Sequence, residues 1–387
     1  MRNKEISEHI DNKNGRKNIW LLGSSSLLND AGSDMITPIL PFFITALGGS
    51  GIAVGALSGL REGLASLFKL LGGWYSDKKA KRMPIIFAGY FISVLCKFLI
   101  AISASWQYLL AFVSIERFGK ARDPPRDAII AMSTKKRGRG FGIHQMMDTI
   151  GAIIGSIIVI FLFWKFNFGF KTIILIGGII ASLSLFPLIF IKEPKTKPQN
   201  ISLFRGIRKL SKNLRYFIFV SSIFTIANFG LYMFLLLKAQ QITGSLLIAI
   251  SIGILFHLAY ALFAVPFGIY SDKIGRKKVL MMGYLLFLAV TIGFIFSQTI
   301  VSLIILFLMY GIVYAITQGN QRAFVSDMSG EMKGTALGFF QFVTGLVTIV
   351  GGIIAGFFWN ISPQAMFIYL SAIALISILA LSFVKER

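Results

Sequence analysis

The stretch GGWYSDKKAKR, Gly72–Arg82, decides how this chain is read, because it occurs twice. It returns half a chain later as FGIYSDKIGRK, Phe267–Lys277. Each copy closes a long apolar run and opens a short basic loop. Other matches keep nearly the same offset: Arg126, Met132, Ser133, Gly138, Gly142, Gln145 and Gly155 correspond to Arg322, Met328, Ser329, Gly334, Gly338, Gln341 and Gly351. The 387 residues therefore read as two copies of one unit.

Composition says what kind of unit. The chain is 55% apolar and 14% charged, unlike a soluble domain. Apolar runs of about 20 residues recur, each long enough to cross a hydrocarbon core as a helix. Twelve spans are predicted, near 18–47, 51–76, 84–104, 107–132, 138–163, 169–191, 216–238, 245–270, 278–297, 300–325, 334–358 and 363–384. With residues 1–17 in the cytoplasm, most of the 39 Lys and Arg fall in inside segments such as DKKAKR, TKKRGRG and DKIGRKK. The outside loops hold only Lys165, Lys171 and Lys238. That bias predicts an even span count, both termini cytoplasmic, in the cell membrane. It also accounts for the net charge of +23, which is orientation rather than a nucleic-acid surface. Residues 1–17 are polar, so no cleavable signal is expected. The expected organisation is a cytoplasmic segment 1–17, a six-helix bundle 18–191, a cytoplasmic linker 192–215 with an amphipathic helix, and a second six-helix bundle 216–387. Two same-way bundles are related by a pseudo-two-fold axis along the membrane normal. Cys96 is alone and His9, His144 and His257 are scattered, so no metal or cofactor site is expected. No G-x4-G-K-[ST] loop exists for an ATP-driven pump, and nothing points to catalysis.

At this point a family can be named. The chain resembles the major facilitator superfamily over its whole length, an all-α integral membrane fold of twelve helices. The loop between spans 2 and 3 of that family reads G-x-x-x-D-[RK]-x-G-[RK]-[RK]. The second copy fits fully with Gly268, Asp272, Lys273, Gly275, Arg276 and Lys277. The first fits with Gly73, Asp77, Lys78, Lys81 and Arg82, with Ala80 where Gly is usual. The resemblance implies a gate in which the motif Asp pairs with an Arg at the inside end of span 4 or 10, here Asp77–Arg126 and Asp272–Arg322. It also implies secondary transport by alternating access and no enzyme activity, a single chain sufficing for a pathway.

Span 4 then stands out: SIERFGKARDPPRDAII, Ser114–Ile130, carries opposed charges throughout. Counted at 1.5 Å per residue from Gln107, Glu116 and Arg117 lie about 15 Å deep. Lys120 and Arg122 follow, and Pro124–Pro125 are expected to kink the helix before Arg126 and Asp127. The other first-half spans supply Asp30 and Asp34, Arg61, Glu62 and Lys69, and His144 with Asp148. Charges embedded in a membrane are costly alone, so pairing around a wet cavity is expected. Carboxylates there can exchange protons as their partners change; Glu116 and Asp34 lead, then Asp30, Asp148 and Glu62. Lys97, in a span that is an outer helix in the family, is expected to snorkel. The second half offers instead Asn228, Tyr232, His257, Tyr314, Gln318, Asn320 and Gln341, an uncharged surface for an amphipathic substrate.

Span 5 partly matches the drug–proton antiporter signature G-x8-G-x3-G-P-x-x-G-G: Gly142, Gly151 and Gly155 are in place, but Ser156, Val159 and Ile160 are not. Two transport readings remain open. One is proton-coupled export of a small amphipathic compound. The other is uptake of an organic anion or metabolite by proton symport, with Arg61, Arg117, Lys120 and Arg122 holding the anion. A non-transporting sensor or assembly protein is a third.

Overall fold

In the computed structural model the described residues are 2–134, 137–194, 198, 210–329 and 333–385. They are helical throughout, with no strand among them. The first half holds α1 (Arg2–Ile36), α2 (Leu40–Ala46), α3 (Gly51–Lys79), α4 (Met83–Ala101), α5 (Trp106–Glu116), α6 (Asp123–Met132), α7 (Arg137–Phe166), α8 (Phe170–Ser182) and α9 (Leu185–Leu188). The second holds α10 (Lys212–Ala227), α11 (Tyr232–Thr243), α12 (Leu246–Ile274), α13 (Arg276–Phe296), α14 (Ile300–Met328), α15 (Lys333–Ile361) and α16 (Pro363–Ser382). The amphipathic helix expected in the linker lies outside the described residues.

Among the described residues nine helices are long and apolar enough to cross a membrane. The predicted spans that fall short are the first, second and fourth, and the reason is chemical. They carry Asp30, Asp34, Arg61, Glu62, Lys69 and the Glu116–Asp127 run. Two of them are also broken. In the first span α1 stops before Pro38, which has no N–H to continue the ladder. In the fourth, Pro124 and Pro125 cannot donate to the carbonyls of Lys120 and Ala121. The chain there tightens into a 3-10 turn, Arg117–Arg122, between α5 and α6. Arg122 Nη1 donates to Gly119 O at 3.0 Å and to Gly89 O at 3.2 Å on α4, satisfying two backbone carbonyls that the break brings together.

By contact the chain forms two units, Met1–Leu40 with Leu67–Ser202, and Pro41–Ser66 with Leu203–Arg387. In the first, α1 packs along α7 and α8. Gly151 and Gly155 of the span-5 signature lie against the backbone of Leu27 and Ala31, so here they serve close helix approach. In the second, the first part of α3 presents Gly51, Gly55, Gly59 and Gly63 to α15. A Cβ on Gly59 would stand 2.6 Å from Thr348 O, and one on Gly63 2.7 Å from Gly345 O, while Gly55 meets Gly352 backbone to backbone. Gly51 N donates to Asn360 Oδ1 at 2.6 Å and Ser58 Oγ to Gly230 O at 2.6 Å.

The two repeated loops are built alike. Ser76 Oγ donates to Gly73 O at 2.9 Å, and Ser271 Oγ to Gly268 O at 2.8 Å. Gly275 ends α12 with φ 102°. Ala80, which stands where the motif expects Gly, is also driven to positive φ, 52°. The position demands a left-handed backbone in both copies, and Ala80 adopts it at a cost of about 1–2 kcal/mol.

Candidate functional site

Glu116 ends α5, and the 3-10 turn after it swings its side chain among neighbouring helices. It is buried, at 5% exposure. Arg117 pairs with it, Lys97 Nζ of α4 lies 3.9 Å away, and Ser93 Oγ donates to it at 2.9 Å. Lys97 in turn donates to Ser93 Oγ at 2.8 Å and Asn29 Oδ1 at 3.4 Å. Lys97 does not snorkel: it is 2% exposed. A buried carboxylate needs opposite charge, and that requirement draws the ammonium inward. Arg117 alone, against Lys97 and Ser93, was visible to reasoning along one span.

About two helical turns further along the chain a second cluster forms on Asp123. Lys69 lies 3.4 Å from its carboxylate, Arg126 3.5 Å, Lys120 3.9 Å and Arg122 3.9 Å. Arg122 is itself buried and stacks 4.2 Å over the ring of Tyr90. Arg126 also holds Asp127 at 3.0 Å and reaches Ser26 Oγ of α1 at 3.4 Å. On α7, His144 Nδ1 stands 3.3 Å from Asp148 Oδ2. Asp30 of α1 lies within electrostatic range of Lys120, Arg122, Arg126 and Asp148. The charges expected to gather thus do so, across α1, the broken span and α7. Asp34 is one turn beyond Asp30 and half-buried. Arg61 and Glu62 belong to the second unit, where Glu62 is exposed and within electrostatic range of Tyr314.

The gate pairings differ from expectation in both copies. Asp77 pairs with Arg82 at 3.0 Å rather than with Arg126, which Asp123 and Asp127 hold from its own helix. Asp272 pairs with Arg276, which also reaches Asp327 at 3.2 Å, while Arg322 lies exposed. An arginine four or five residues on is nearer than one across a helix interface, and the local pair wins. Lys81 is exposed, as a headgroup-facing residue would be. At the start of α4, Glu193 accepts from the backbone N–H groups of Arg82 and Met83. The chain is further tied there by Asn18 Nδ2 donating to Lys192 O at 2.8 Å. Asn320, expected to face substrate, is buried against the second loop and accepts from Ser271 Oγ at 2.5 Å.

The second unit gathers its rings. Phe256 packs 5.2 Å from Tyr232, 4.8 Å from His257 and 5.0 Å from Tyr314, centroid to centroid. Tyr260 stands 6.2 Å from Tyr314, and Tyr310 donates to Asn228 Oδ1 at 2.7 Å. Asn228 is buried and so acts as an anchor for Tyr310. Gln318 is half-buried one turn beyond Tyr314, and Gln341 half-buried on α15.

The Major Facilitator Superfamily model matches residues 22–256 and 218–387, which together span nearly the whole chain. The chain belongs to the major facilitator superfamily. It is 45% identical to an uncharacterized MFS-type transporter of Methanocaldococcus jannaschii, over 97% of each chain. It is 24% identical to the multidrug resistance protein MdtH of Blochmanniella pennsylvanica, over 88% of this chain and 86% of that one. Among solved structures it shares the fold of the nucleoside transporter NupG, with TM-score 0.83 at 15% identity over 95% of this chain and all of the other. A peptide transporter of the POT family gives 0.78 at 14% identity, over 94% and 93%. This major facilitator chain is thus a multi-pass secondary transporter of small molecules, not an enzyme.

Proposed function

We propose that the protein exports a small amphipathic compound in exchange for protons, from the cytoplasm across the cell membrane and as a monomer, by alternating access. The observation that carries this reading is the run of ionisable groups from Asp30 through Arg126 to Asp148 and His144, which joins α1, α6 and α7. A carboxylate in such a run changes its proton affinity when a basic neighbour moves away or water enters. Asp30, Asp34 and Asp148 are the proton carriers in this reading. Glu116 is better suited to hold the bundle together, since Lys97, Arg117 and Ser93 surround it. The 24%-identical relative titled a multidrug resistance protein and the placed span-5 glycines support export. The basic residues facing a single carboxylate at Asp123 favour a second reading, proton symport of an organic anion.

The test is pH-gradient-driven movement of a fluorescent lipophilic cation in proteoliposomes, wild type against Asp148→Asn. Movement of the cation against the proton flow, lost in the variant, is the expected result. Co-movement of an organic anion with protons, and none of the cation, would establish the second reading in its place.

A further inference from the structure

Span 4 has a copy in the second half, and the copy is an internal control on the 3-10 turn. In the register that sets Arg126 on Arg322, Pro124 and Pro125 fall on Asn320 and Gln321, and Arg122 falls on Gln318. There the chain runs on as α14, 29 residues without a break. In the first half the six residues Arg117–Arg122 take the 3-10 form, more than such a helix usually sustains. We infer that span 4 is a two-state helix and that Arg122 is its catch. With the guanidinium seated on α4 the turn is 3-10. With it withdrawn the turn becomes α, and α6 rotates and draws in toward α5. The inference stands on the helix itself and is independent of the transported compound and the coupling ion.

The backbone leaves the two forms nearly balanced. In the 3-10 form Lys120 O accepts from the N–H of Asp123. In the α form its donor would be residue 124, a proline with none to give. Ala121 O meets a proline nitrogen in either form, so it decides nothing. The 3-10 form thus gains one backbone hydrogen bond, set against the poorer geometry of every bond in it. Side chains tip such a balance, and Arg122 is the one placed to do so. It is buried, donates to Gly89 O of α4 and to Gly119 O, and stacks over Tyr90. An α residue turns the chain by about 100° and a 3-10 residue by about 120°, so over the turn the two forms part by about 120°. With α5 fixed, Arg122 meets Gly89 and Tyr90 in the 3-10 register only. Its Nε is buried with no hydrogen bond among the described residues, so less holds the catch than would hold a fully bonded guanidinium.

The surroundings leave the turn room to convert. Gly72 of α3 lies against the backbone of Ala121, and a Cβ on Gly119 would stand 2.5 Å from Gly89 O. Smooth glycine faces let backbones slide where interlocked side chains would not. Conversion shortens the span by about 3 Å and turns α6 by about 120°. That swing takes Asp123 away from Lys69 of α3 and Arg126 away from Ser26 of α1, so the charges of this helix change partners.

The experiment measures the length of the span by double electron–electron resonance, with the full chain in nanodiscs. Spin labels go on Tyr108→Cys and Met132→Cys, both exposed, in a Cys96→Ser background. Arg122→Met keeps the bulk and removes the catch, and should shorten the distance by about 3 Å. Pro124→Ala with Pro125→Ala restores the α donors of Lys120 O and Ala121 O, and should reach the same shorter distance by an independent route. A thermal unfolding transition is required of each variant. Should Arg122→Met fail to fold, Arg122→Gln takes its place, since one short amide cannot span both carbonyls. Coincident shortening in the arginine and proline variants upholds the inference. A distance that stays at the wild-type value or lengthens in either of them overturns it.

Discussion

Glu116 and Lys97 face each other inside the first unit, and removing either should have very different consequences. In Glu116→Gln the Lys97 ammonium and Arg117 guanidinium stay buried without their carboxylate. Breaking a buried pair in this way costs about 3–5 kcal/mol. In Lys97→Met the carboxylate keeps Arg117 and the Ser93 hydroxyl, while a costly buried ammonium disappears and the thioether fills its place. The net change there should stay below about 1 kcal/mol, and the double variant should be more stable than Glu116→Gln alone. The molecule carries its own reporter. Cys96, adjacent to Lys97, is the single cysteine of the chain and is buried. Its labelling by a thiol-reactive dye below the melting temperature therefore follows local opening of this region. Glu116→Gln should raise that rate on the order of a hundredfold or more, and Lys97→Met by a few-fold at most. Lys97→Met labelling as fast as Glu116→Gln would refute the assignment of the pair as a structural one organised by the carboxylate.

Three further outcomes follow from particular contacts. Ala80→Gly should relieve the positive φ and stabilise the chain by about 1 kcal/mol, read as a higher melting temperature. Gly55→Leu places a side chain against the Gly352 backbone and should cost about 1–3 kcal/mol, seen as faster hydrogen exchange over residues 51–66. Glu193→Gln weakens the charged cap on α4 by roughly 1 kcal/mol and should speed tryptic cleavage after Lys192, with melting little changed.

Much of the fold was legible because it is written in composition and repetition. The twin loops at Gly72–Arg82 and Phe267–Lys277, the apolar runs and the basic inside loops identify a doubled membrane bundle without any coordinates. The helix break at Pro124–Pro125 was legible too, since proline acts on its own backbone. Pairings were not, because they are settled by competition among neighbours. Asp77 has Arg82 and Arg126 as candidates, and distance along the loop decides for Arg82. Lys97 looks like a lipid-facing lysine until Glu116 is seen beside it. Glu62 belongs to one half by sequence and to the other by contact. The four-residue spacing of Gly51, Gly55, Gly59 and Gly63 carries the close approach of α3 to α15 in the sequence itself.

That glycine spacing has a consequence for how the contact between α3 and α15 responds to its surroundings. Backbone lies on backbone there, through Gly55 on Gly352, Gly59 on Thr348 and Gly63 on Gly345, with hydrogen bonds alongside. Dispersion attraction loses roughly a quarter to a half of its strength over a gap of about 0.5–1 Å, whereas attraction between charges reaches roughly 8–10 Å through salt water. The contact therefore behaves like a snap fastener, wholly made or wholly undone, with no pull at a distance. Ionic strength has little purchase on it. The Asp77–Arg82 and Asp272–Arg276 pairs at the basic loops are screened as salt rises. One chain thus carries two kinds of joint, one indifferent to the ions around it and one tuned by them.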